Sequence, residues 1–294
     1  MDRKEILEAL EAFPYDRGGY WVITGAAMVL YGIREQTADI DLGCTAELAD
    51  RMEADGLPFR RTGDGKRWLR YGDTVEIFEE WLQDTVVTVD GFPVVSLRGL
   101  IGMKQALGRE KDLRDIALIR AYMGRSVVVK KMETADEIRG KAFVAWRSWH
   151  ETYPGLIGRE YLDRHTLESC EQAAFRWPEG HIVAKDGDRV VGYAAYGAQE
   201  DTPGTGEVFG LYVMSEYHGT GVGRRLMQAA LEQLKAYPVI CLWTLKENRQ
   251  AIRFYEKCGF AADGQEQVNV RINAREIRMT LADRSILQRR DQHE

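Results

Sequence analysis

Three glycines at alternate positions form the part of the sequence best suited to bind an anion. Gly219, Gly221 and Gly223 lie between an apolar, β-branched run that stops at Ser215 and a helical repeat that begins at Arg224. Because glycine adopts backbone conformations closed to other residues, successive N–H groups of such a loop can point at one spot beside the helix N-terminus, where partial positive charge attracts phosphate. The pattern predicts a pyrophosphate-binding loop, although a tight strand-to-helix turn that binds nothing shows the same glycines.

A second group of residues suited to chemistry is acidic. In an extended chain Asp39 and Asp41 project from one face, while Ile40 and Leu42 face the core. Two adjacent carboxylates repel each other unless a cation lies between them, so the pair indicates a metal site with hard oxygen ligands suited to Mg²⁺. Glu76 lies among apolar residues in a later strand pattern, where an unpaired charge is costly, so we expect it to be a third ligand.

The elements that must position these residues fall into two groups. With 294 residues, of which 45% are hydrophobic, the chain is long enough for two domains with separate cores. A helical repeat ends at residues 124–126, before a Val-rich strand pattern, and no Pro/Ser-rich linker separates the two parts. We therefore predict domains at 1–124 and 126–282, followed by a polar tail at 283–294.

Cysteine usage and the lack of targeting patterns indicate the compartment. The cysteines show no metal-ligand spacing, and we expect buried, reduced thiols at Cys44, Cys170, Cys241 and Cys258. The first residues include acids and no apolar signal segment, and no stretch approaches the roughly 20 apolar residues that a membrane span needs. We therefore predict a cytoplasmic protein with no membrane partner.

The net charge of −6 constrains the partners further. Acids outnumber bases in residues 1–125, which argues against general binding of nucleic acid through its phosphates. A cationic small molecule or peptide fits this charge better as a substrate. The oligomeric state has no signal in the sequence.

The order of elements after the glycine loop resembles one family. A second strand pattern at 239–244, Asn248 and a short helical repeat that closes at 258–260 follow the sequence His-Gly-Thr-Gly-Val-Gly at 218–223. This order resembles the GNAT family of acetyl-CoA-dependent N-acetyltransferases, whose loop reads Gln/Arg-x-x-Gly-x-Gly/Ala; His218 departs from the usual first residue. The resemblance implies acetyl-CoA as cofactor and a GNAT fold with a central mixed, mostly antiparallel sheet.

The resemblance also implies roles for individual residues. Glu207 is the candidate base for the acceptor amine, and its alternative is an exposed acid without a catalytic role. Tyr255 is the candidate acid for the leaving thiolate, and its alternative is an aromatic residue that only packs the helix. Trp149 and Tyr153, in a segment similar to the polyamine-acetyltransferase-like branch, either line the acceptor groove or pack as core aromatics. Asn248 is equally suited to cap a helix. The implied acetyl-CoA contacts are Leu211, Tyr212, Val213, His218, Gly219, Thr220, Gly221, Val222, Gly223, Arg224 and Asn248.

Residues 20–120 resemble a different family, the minimal nucleotidyltransferases of the polymerase-β-like superfamily. Members show a Gly-Gly or Gly-Ser turn, then Asp-x-Asp, then a third acid on a neighbouring strand. The AbiEii-like branch resembles this chain at 32–42 and again at Lys104 followed by Gly-Arg-Glu-Lys-Asp-Leu-Arg-Asp at 108–115. The resemblance implies a polymerase-β-like nucleotidyltransferase fold in the first domain. It also implies that Mg²⁺, used to transfer a nucleotide from an NTP, is held by Asp39, Asp41 and Glu76.

Two departures from that family leave an alternative open. The turn reads Gly25-Ala26, without the second glycine or serine, and the third acid is Glu76 rather than Asp. A degenerate fold that serves as a scaffold or binding module is therefore the alternative. Lys104 is as suited to a solvated helix face as to a phosphate contact.

The sequence as a whole predicts an α/β (α+β) enzyme with two domains. We expect an acetyl-CoA-dependent N-acetyltransferase that transfers acetyl to a primary amine of a small cationic molecule or peptide. One alternative is a bifunctional acetyl- and nucleotidyltransferase that modifies an aminoglycoside-like substrate. Another is a regulator whose first domain binds a partner.

Overall fold

The computed structural model describes residues 1–81, 85–199 and 201–284. The chain divides into two compact units, Met1–Tyr122 (unit 1) and Met123–Glu294 (unit 2). This division lies close to the boundary expected at 124–126, whereas most of the expected polar tail lies outside the described residues. Among the described helices none is long and apolar enough to cross a membrane.

Unit 1 is built on a mixed seven-stranded sheet with the order β3-β4-β5-β2-β1-β7-β6. The β2–β5 and β1–β7 pairs are parallel and the other pairs are antiparallel. Its strands are β1 (Tyr20–Ile23), β2 (Ile40–Cys44), β3 (Phe59–Arg61), β4 (Arg67–Tyr71), β5 (Val75–Glu79), β6 (Val86–Val89) and β7 (Phe92–Val95). The helices are α1 (Arg3–Glu11), α2 (Thr24–Leu30), α3 (Ala46–Ala54), α4 (Leu97–Leu107) and α5 (Glu110–Arg125).

Burial on β2 decides which way the acidic residues of unit 1 point. Ile40 and Leu42 are fully buried, and because side chains alternate along a strand, Asp41 lies on the opposite face. The parallel register places Asp41 beside Glu76 of β5. Asp41 and Glu76 therefore lie side by side on neighbouring strands.

Unit 2 is built on a second seven-stranded sheet with the order β13-β14-β12-β11-β10-β9-β8. Of its recorded pairs β11–β12 is parallel and the others are antiparallel, as the sequence predicted. Its strands are β8 (Val127–Lys131), β9 (His181–Asp186), β10 (Arg189–Ala198), β11 (Thr205–Val213), β12 (Val239–Leu245), β13 (Phe260–Asn269) and β14 (Ala274–Leu281). Its helices are α6 (Ala135–Thr152), α7 (Arg159–Arg164), α8 (Leu167–Arg176), α9 (Val222–Leu234) and α10 (Arg249–Lys257).

The helix after the glycine loop packs on the sheet as its sequence predicts. Leu226, Ala230 and Leu234 of α9 are buried, and they recur at helical spacing on one face. Burial of this face fixes the N-terminus of α9 at the end of β11. The four cysteines are buried and unpaired, as expected.

Helix α6 packs closely on the sheet. Its buried positions are Glu137, Ala142, Val144, Ala145 and Ser148, while the larger Ile138, Phe143 and Trp146 are partly buried. The helix approaches β10 closely, since a Cβ at Gly140 would lie 2.6 Å from Val190 Cγ2.

Candidate active site

The central feature of unit 2 is the divergence of β11 from β12. Their parallel register runs from Thr205–Val239 to Val208–Leu242; beyond Val208, in the described part of the chain, β11 pairs with β10 alone. The β10–β11 register shifts at the same point, which leaves Phe209 as an extra residue on β11. Such a bulge bends its strand, so a gap opens between the ends of β11 and β12.

A cavity of about 700 Å³ occupies this gap. Its walls come from the C-terminal end of α6 and the loop after it, the end of β11, the glycine loop, the start of α10 and the β13–β14 hairpin. The end of β11 thus faces a space large enough for a sizeable ligand.

The glycine loop lies at one end of the cavity. Gly219 and Gly221 adopt left-handed φ angles of +77° and +85°, which favour glycine. A Cβ added at Gly221 would meet no atom within 4 Å, so the space beside the loop is open. Gly221 is also the N-cap of α9 and has no side chain to cap the helix. The Thr220 hydroxyl accepts from the Val222 N–H at 3.4 Å, and the following N–H groups of the first turn are available to an anion.

Most of the predicted acetyl-CoA contacts line this cavity. Thr220 and Val222 are not among its lining residues; the Thr220 hydroxyl instead donates to the Tyr217 carbonyl at 2.6 Å. The His218 ring lies in the lining with Nε2 2.8 Å from the Val213 carbonyl oxygen. Asn248 lines the cavity and also caps α10, accepting from the Ala251 N–H at 3.1 Å. The remaining members in the lining are Leu211, Tyr212, Val213, Gly219, Gly221, Gly223 and Arg224.

The predicted proton donor Tyr255 lies on α10 with its side chain buried against the cavity. Its pKa is raised above the ordinary value by burial and, to a smaller extent, by Tyr212 and Cys258. The phenol is therefore protonated at neutral pH. Within the described chain its hydroxyl has no hydrogen-bond partner.

The predicted base Glu207 occupies a different position. It lies opposite Cys241 in the paired part of β11 and β12, and it is not among the residues that line the cavity. Its pKa is raised by burial first and then by the charge of Glu276. Its role as base stays a prediction.

Part of the cavity wall is aromatic. Trp149 and Tyr153 both belong to the lining. The Trp149 ring stacks on His165 with centroids 4.2 Å apart, and the Tyr153 hydroxyl lies 3.0 Å from the Tyr212 hydroxyl. Tyr161 lies beside the same tryptophan, with ring centroids 5.8 Å apart. We call these five side chains the aromatic cluster.

The sequence analysis did not find two polar residues of the lining. The Ser148 Oγ is buried and has no partner in the described residues. Glu276 reaches the cavity from β14. Neither belongs to a motif. In the sequence Ser148 looks like any other polar residue of a helix, and Glu276 lies more than 50 residues after the glycine loop.

The acids of unit 1 influence one another. The pKa of Asp41 is raised to about 6, chiefly by burial, with Asp39 and Glu76 adding to the rise while a hydrogen bond from the Thr24 hydroxyl opposes it. Across the described residues, however, no three His, Cys, Asp or Glu side chains are arranged to hold a metal ion. The predicted metal site stays a prediction, and we derive no catalytic step from it.

Lys104 lies in neither of the two environments expected for it. It is 4% exposed, and its Nζ lies 2.6 Å from Asp115 and 3.9 Å from Asp112. Arg34 binds the same Asp115, and Arg109 binds Asp112 at 2.7 Å. The solvated-face alternative is therefore wrong, because two buried carboxylates draw the ammonium inward.

Comparison with known proteins identifies the family of unit 2. The solved PaiA N-acetyltransferase of Thermoplasma acidophilum, in complex with coenzyme A, has a TM-score of 0.42 at 18% identity, covering 52% of this chain and 97% of that one. The sequence model of the acetyltransferase (GNAT) family matches residues 143–260. N-alpha-acetyltransferase 30 of Schizosaccharomyces pombe is 38% identical over 110 residues, 36% of this chain and 73% of that protein. An uncharacterized N-acetyltransferase of Mycobacterium bovis is 30% identical over 140 residues, 45% of this chain and 86% of that protein. From these sequence relationships, the chain belongs to the GNAT acetyltransferase family and is an acyltransferase.

Proposed function

We propose that this enzyme transfers acetyl from acetyl-CoA to a primary amine of a small cationic molecule or peptide. The observation that carries the proposal is the shared cavity: the diverging end of β11 and the glycine loop at the N-terminus of α9 open into the same space. The glycine loop suits an anion, and another part of the wall is formed by the aromatic cluster. An extended ligand with a pyrophosphate at one end fits this distribution.

The residues of the cavity suit acetyl-CoA. Gly219–Arg224 hold the pyrophosphate through backbone N–H groups, and Leu211–Val213 hold the pantetheine arm through their backbone. The unpartnered Ser148 Oγ supplies a further hydrogen-bonding group on the wall. When bound, acetyl-CoA supplies the acetyl thioester. Asn248 contacts the cofactor from the start of α10.

The side chains then supply the proton transfers that acetylation needs. Tyr255 donates a proton to the departing thiolate, which its raised pKa permits because the phenol stays protonated. A carboxylate receives the proton of the acceptor ammonium, for which Glu207 and Glu276 are the two candidates. Trp149 and Tyr153 contact the acceptor. The name of the fission-yeast relative, an N-alpha-acetyltransferase, supports a peptide N-terminus as one acceptor beside polyamines and aminoglycosides.

The cofactor assignment is tested with Gly221→Asp. The variant places a negative charge where the phosphate must approach, so we expect acetyl-CoA affinity in calorimetry to fall more than tenfold, that is by more than about 1.4 kcal/mol. Gly187→Asp is the matched control, because Gly187 is also left-handed, at +57°, but lies in the β9–β10 turn outside the cavity. Unchanged affinity of Gly221→Asp with an intact fold contradicts the proposal.

A second candidate function concerns unit 1. Asp41 beside Glu76, with a pKa raised in part by its acidic neighbours, favours a nucleotidyltransferase-like site for Mg²⁺ and an NTP. The enzyme is then bifunctional. Incubation with each NTP, Mg²⁺ and an aminoglycoside, followed by mass spectrometry, tests it; a mass increase of one nucleotide supports transfer. No increase with any NTP leaves unit 1 as a scaffold or partner-binding module.

A further inference from the structure

The position of Glu276 follows from strand pairing. On β14 Glu276 lies opposite Leu245 of β12, three residues beyond the last β12 residue that pairs with β11. Glu276 therefore lies where the strands have separated, and it lines the cavity. Glu207 lies opposite Cys241, where β11 and β12 are still paired, so the backbone there is closed to an inserted ligand.

Two amides hold the Glu276 carboxylate. Gln267 Nε2 donates to one oxygen at 2.9 Å and Asn269 Nδ2 donates to the other at 3.1 Å. Both donors lie on β13, so the hairpin itself orients the group. Each carboxylate oxygen can still accept further hydrogen bonds, and the group is set in one orientation before any ligand binds.

The surroundings of Glu276 suit a cation. Tyr153 from the end of α6 and Tyr212 from β11 lie close enough that its charge, after burial, contributes to the rise of their pKa values. Glu207 on β11 is close enough for the two charges to interact. Of the cations, Arg278 on the same strand is paired with Asp263 at 2.6 Å, and Arg271 lines the same cavity. The tyrosine rings belong to the aromatic cluster, and ring faces attract ammonium groups.

We infer that Glu276, rather than Glu207, is the carboxylate that binds the acceptor ammonium and takes its proton, an inference that rests on the proposed acetyl-transfer function. The ammonium first gives a proton to Glu276, which later releases it to solvent. The neutral amine then forms the C–N bond as the C–S bond breaks. Tyr255 gives its proton to the departing sulfur and regains one from the acetylated nitrogen. Two protons thus leave nitrogen, one for the thiol and one for solvent.

The test compares three isosteric variants of the full-length enzyme: Glu276→Gln, Glu207→Gln and Glu266→Gln. Glu266 lies on the same hairpin, is exposed and pairs with Lys246, so it is the matched control. Thiol release from acetyl-CoA is followed against pH with spermidine and with an alanine tetrapeptide as acceptors. Calorimetry measures acetyl-CoA binding to each variant separately.

We expect Glu276→Gln to lower kcat/KM by about 10² or more at pH 7. Glu276→Asp, which keeps the carboxylate, should recover part of the rate. Glu207→Gln should lose less than tenfold, and Glu266→Gln should match the unmodified enzyme. Acetyl-CoA affinity should not change in any of them.

Two results overturn the inference: an unaffected Glu276→Gln, or a larger loss in Glu207→Gln. Failure of the unmodified enzyme to bind acetyl-CoA, or to acetylate either acceptor, is a different outcome. It contradicts the proposed function itself, so the two failures are distinguishable.

Discussion

The two candidate sites of this chain are built from different parts of the polypeptide. In unit 2 the main features are backbone features, namely the separation of β11 from β12 after Val208 and the left-handed Gly221 at the start of α9. In unit 1 they are side chains: Asp39, Asp41 and Glu76 affect one another electrostatically without being arranged to hold an ion.

This difference shows why one site is easier to recognise than the other. A backbone site depends on strand pairing and on glycine conformations, which the fold holds in place whether or not a ligand is present. A site made of carboxylates has to hold like charges together, so its geometry depends on partners and on protonation.

The buried ion pairs of unit 1 should dominate its stability. Asp115→Asn leaves Lys104 buried with its remaining acidic neighbour, Asp112, 3.9 Å away, so we expect the free energy of unfolding of unit 1 to fall by about 3–5 kcal/mol. Hydrogen exchange with mass spectrometry resolves the two units within the full chain. Glu110→Gln, which removes an exposed ion pair with Arg114, should change the free energy of unfolding of unit 1 by less than about 1 kcal/mol. Equal effects of the two variants would show that the buried ion pairs of Lys104 do not stabilise unit 1.

Loss of the Tyr255 hydroxyl should act on turnover alone. Tyr255→Phe keeps the ring packing and removes the proton donor, so we expect kcat to drop by about 10² or more, equivalent to about 2.7 kcal/mol, with acetyl-CoA affinity unchanged. Steady-state kinetics and calorimetry measure the two quantities. Tyr196→Phe, on β10 outside the cavity lining, serves as the control. Full activity in Tyr255→Phe means that water or another group protonates the thiolate.

Acid should affect the two units in opposite directions. The pKa values of His165 and His181 in unit 2 are lowered to about 4 by burial, with smaller contributions from His150 and Lys141. In the unfolded chain the pKa of histidine is about 6.5. The contribution of the two histidines to the stability of unit 2 is therefore complete above pH 6.5 and is lost as the pH falls from that value toward 4. The pKa of Asp41 is raised to about 6, chiefly by burial. Its contribution to the stability of unit 1 therefore has the opposite sign, because it is complete below pH 3.8 and is lost as the pH rises through 6.

From pH 7 to pH 5 we therefore expect unit 2 to lose about 1–2 kcal/mol for each of the two histidines. Unit 1 should gain about 1 kcal/mol from Asp41 over the same range. Unit-resolved hydrogen exchange at the two pH values measures both. Replacing both histidines by glutamine should make unit 2 insensitive in this range; an unchanged response would assign it to other groups.

The smallest expected effect belongs to the proposed metal site. Mg²⁺ bound to the native state at ten times its Kd should stabilise unit 1 by about 1.4 kcal/mol. Asp39→Asn combined with Asp41→Asn should abolish this response and raise the metal-free stability, because the acidic repulsion is gone. Thermal denaturation with and without Mg²⁺ measures the response. A curve independent of the metal would favour a scaffold role for unit 1.

The parts of unit 2 that the sequence predicted well are those encoded by neighbouring residues. The glycine loop, the helix that follows it, the strand at 239–245 and the helix after Asn248 all follow from local spacing. The same is true of β2 and β5 in unit 1.

Local sequence was enough to recognise the family of unit 2 and to locate its glycine loop, because a short backbone motif has a conformation of its own. Tertiary structure alone decided that Lys104 is buried, that Ser148 faces the cavity unpartnered, and that Glu276 rather than Glu207 lies where β11 and β12 separate. The physical reason is that burial and charge depend on strand register and on residues far apart in the chain. Glu276 comes within reach of Tyr153 only when β14 pairs with β12.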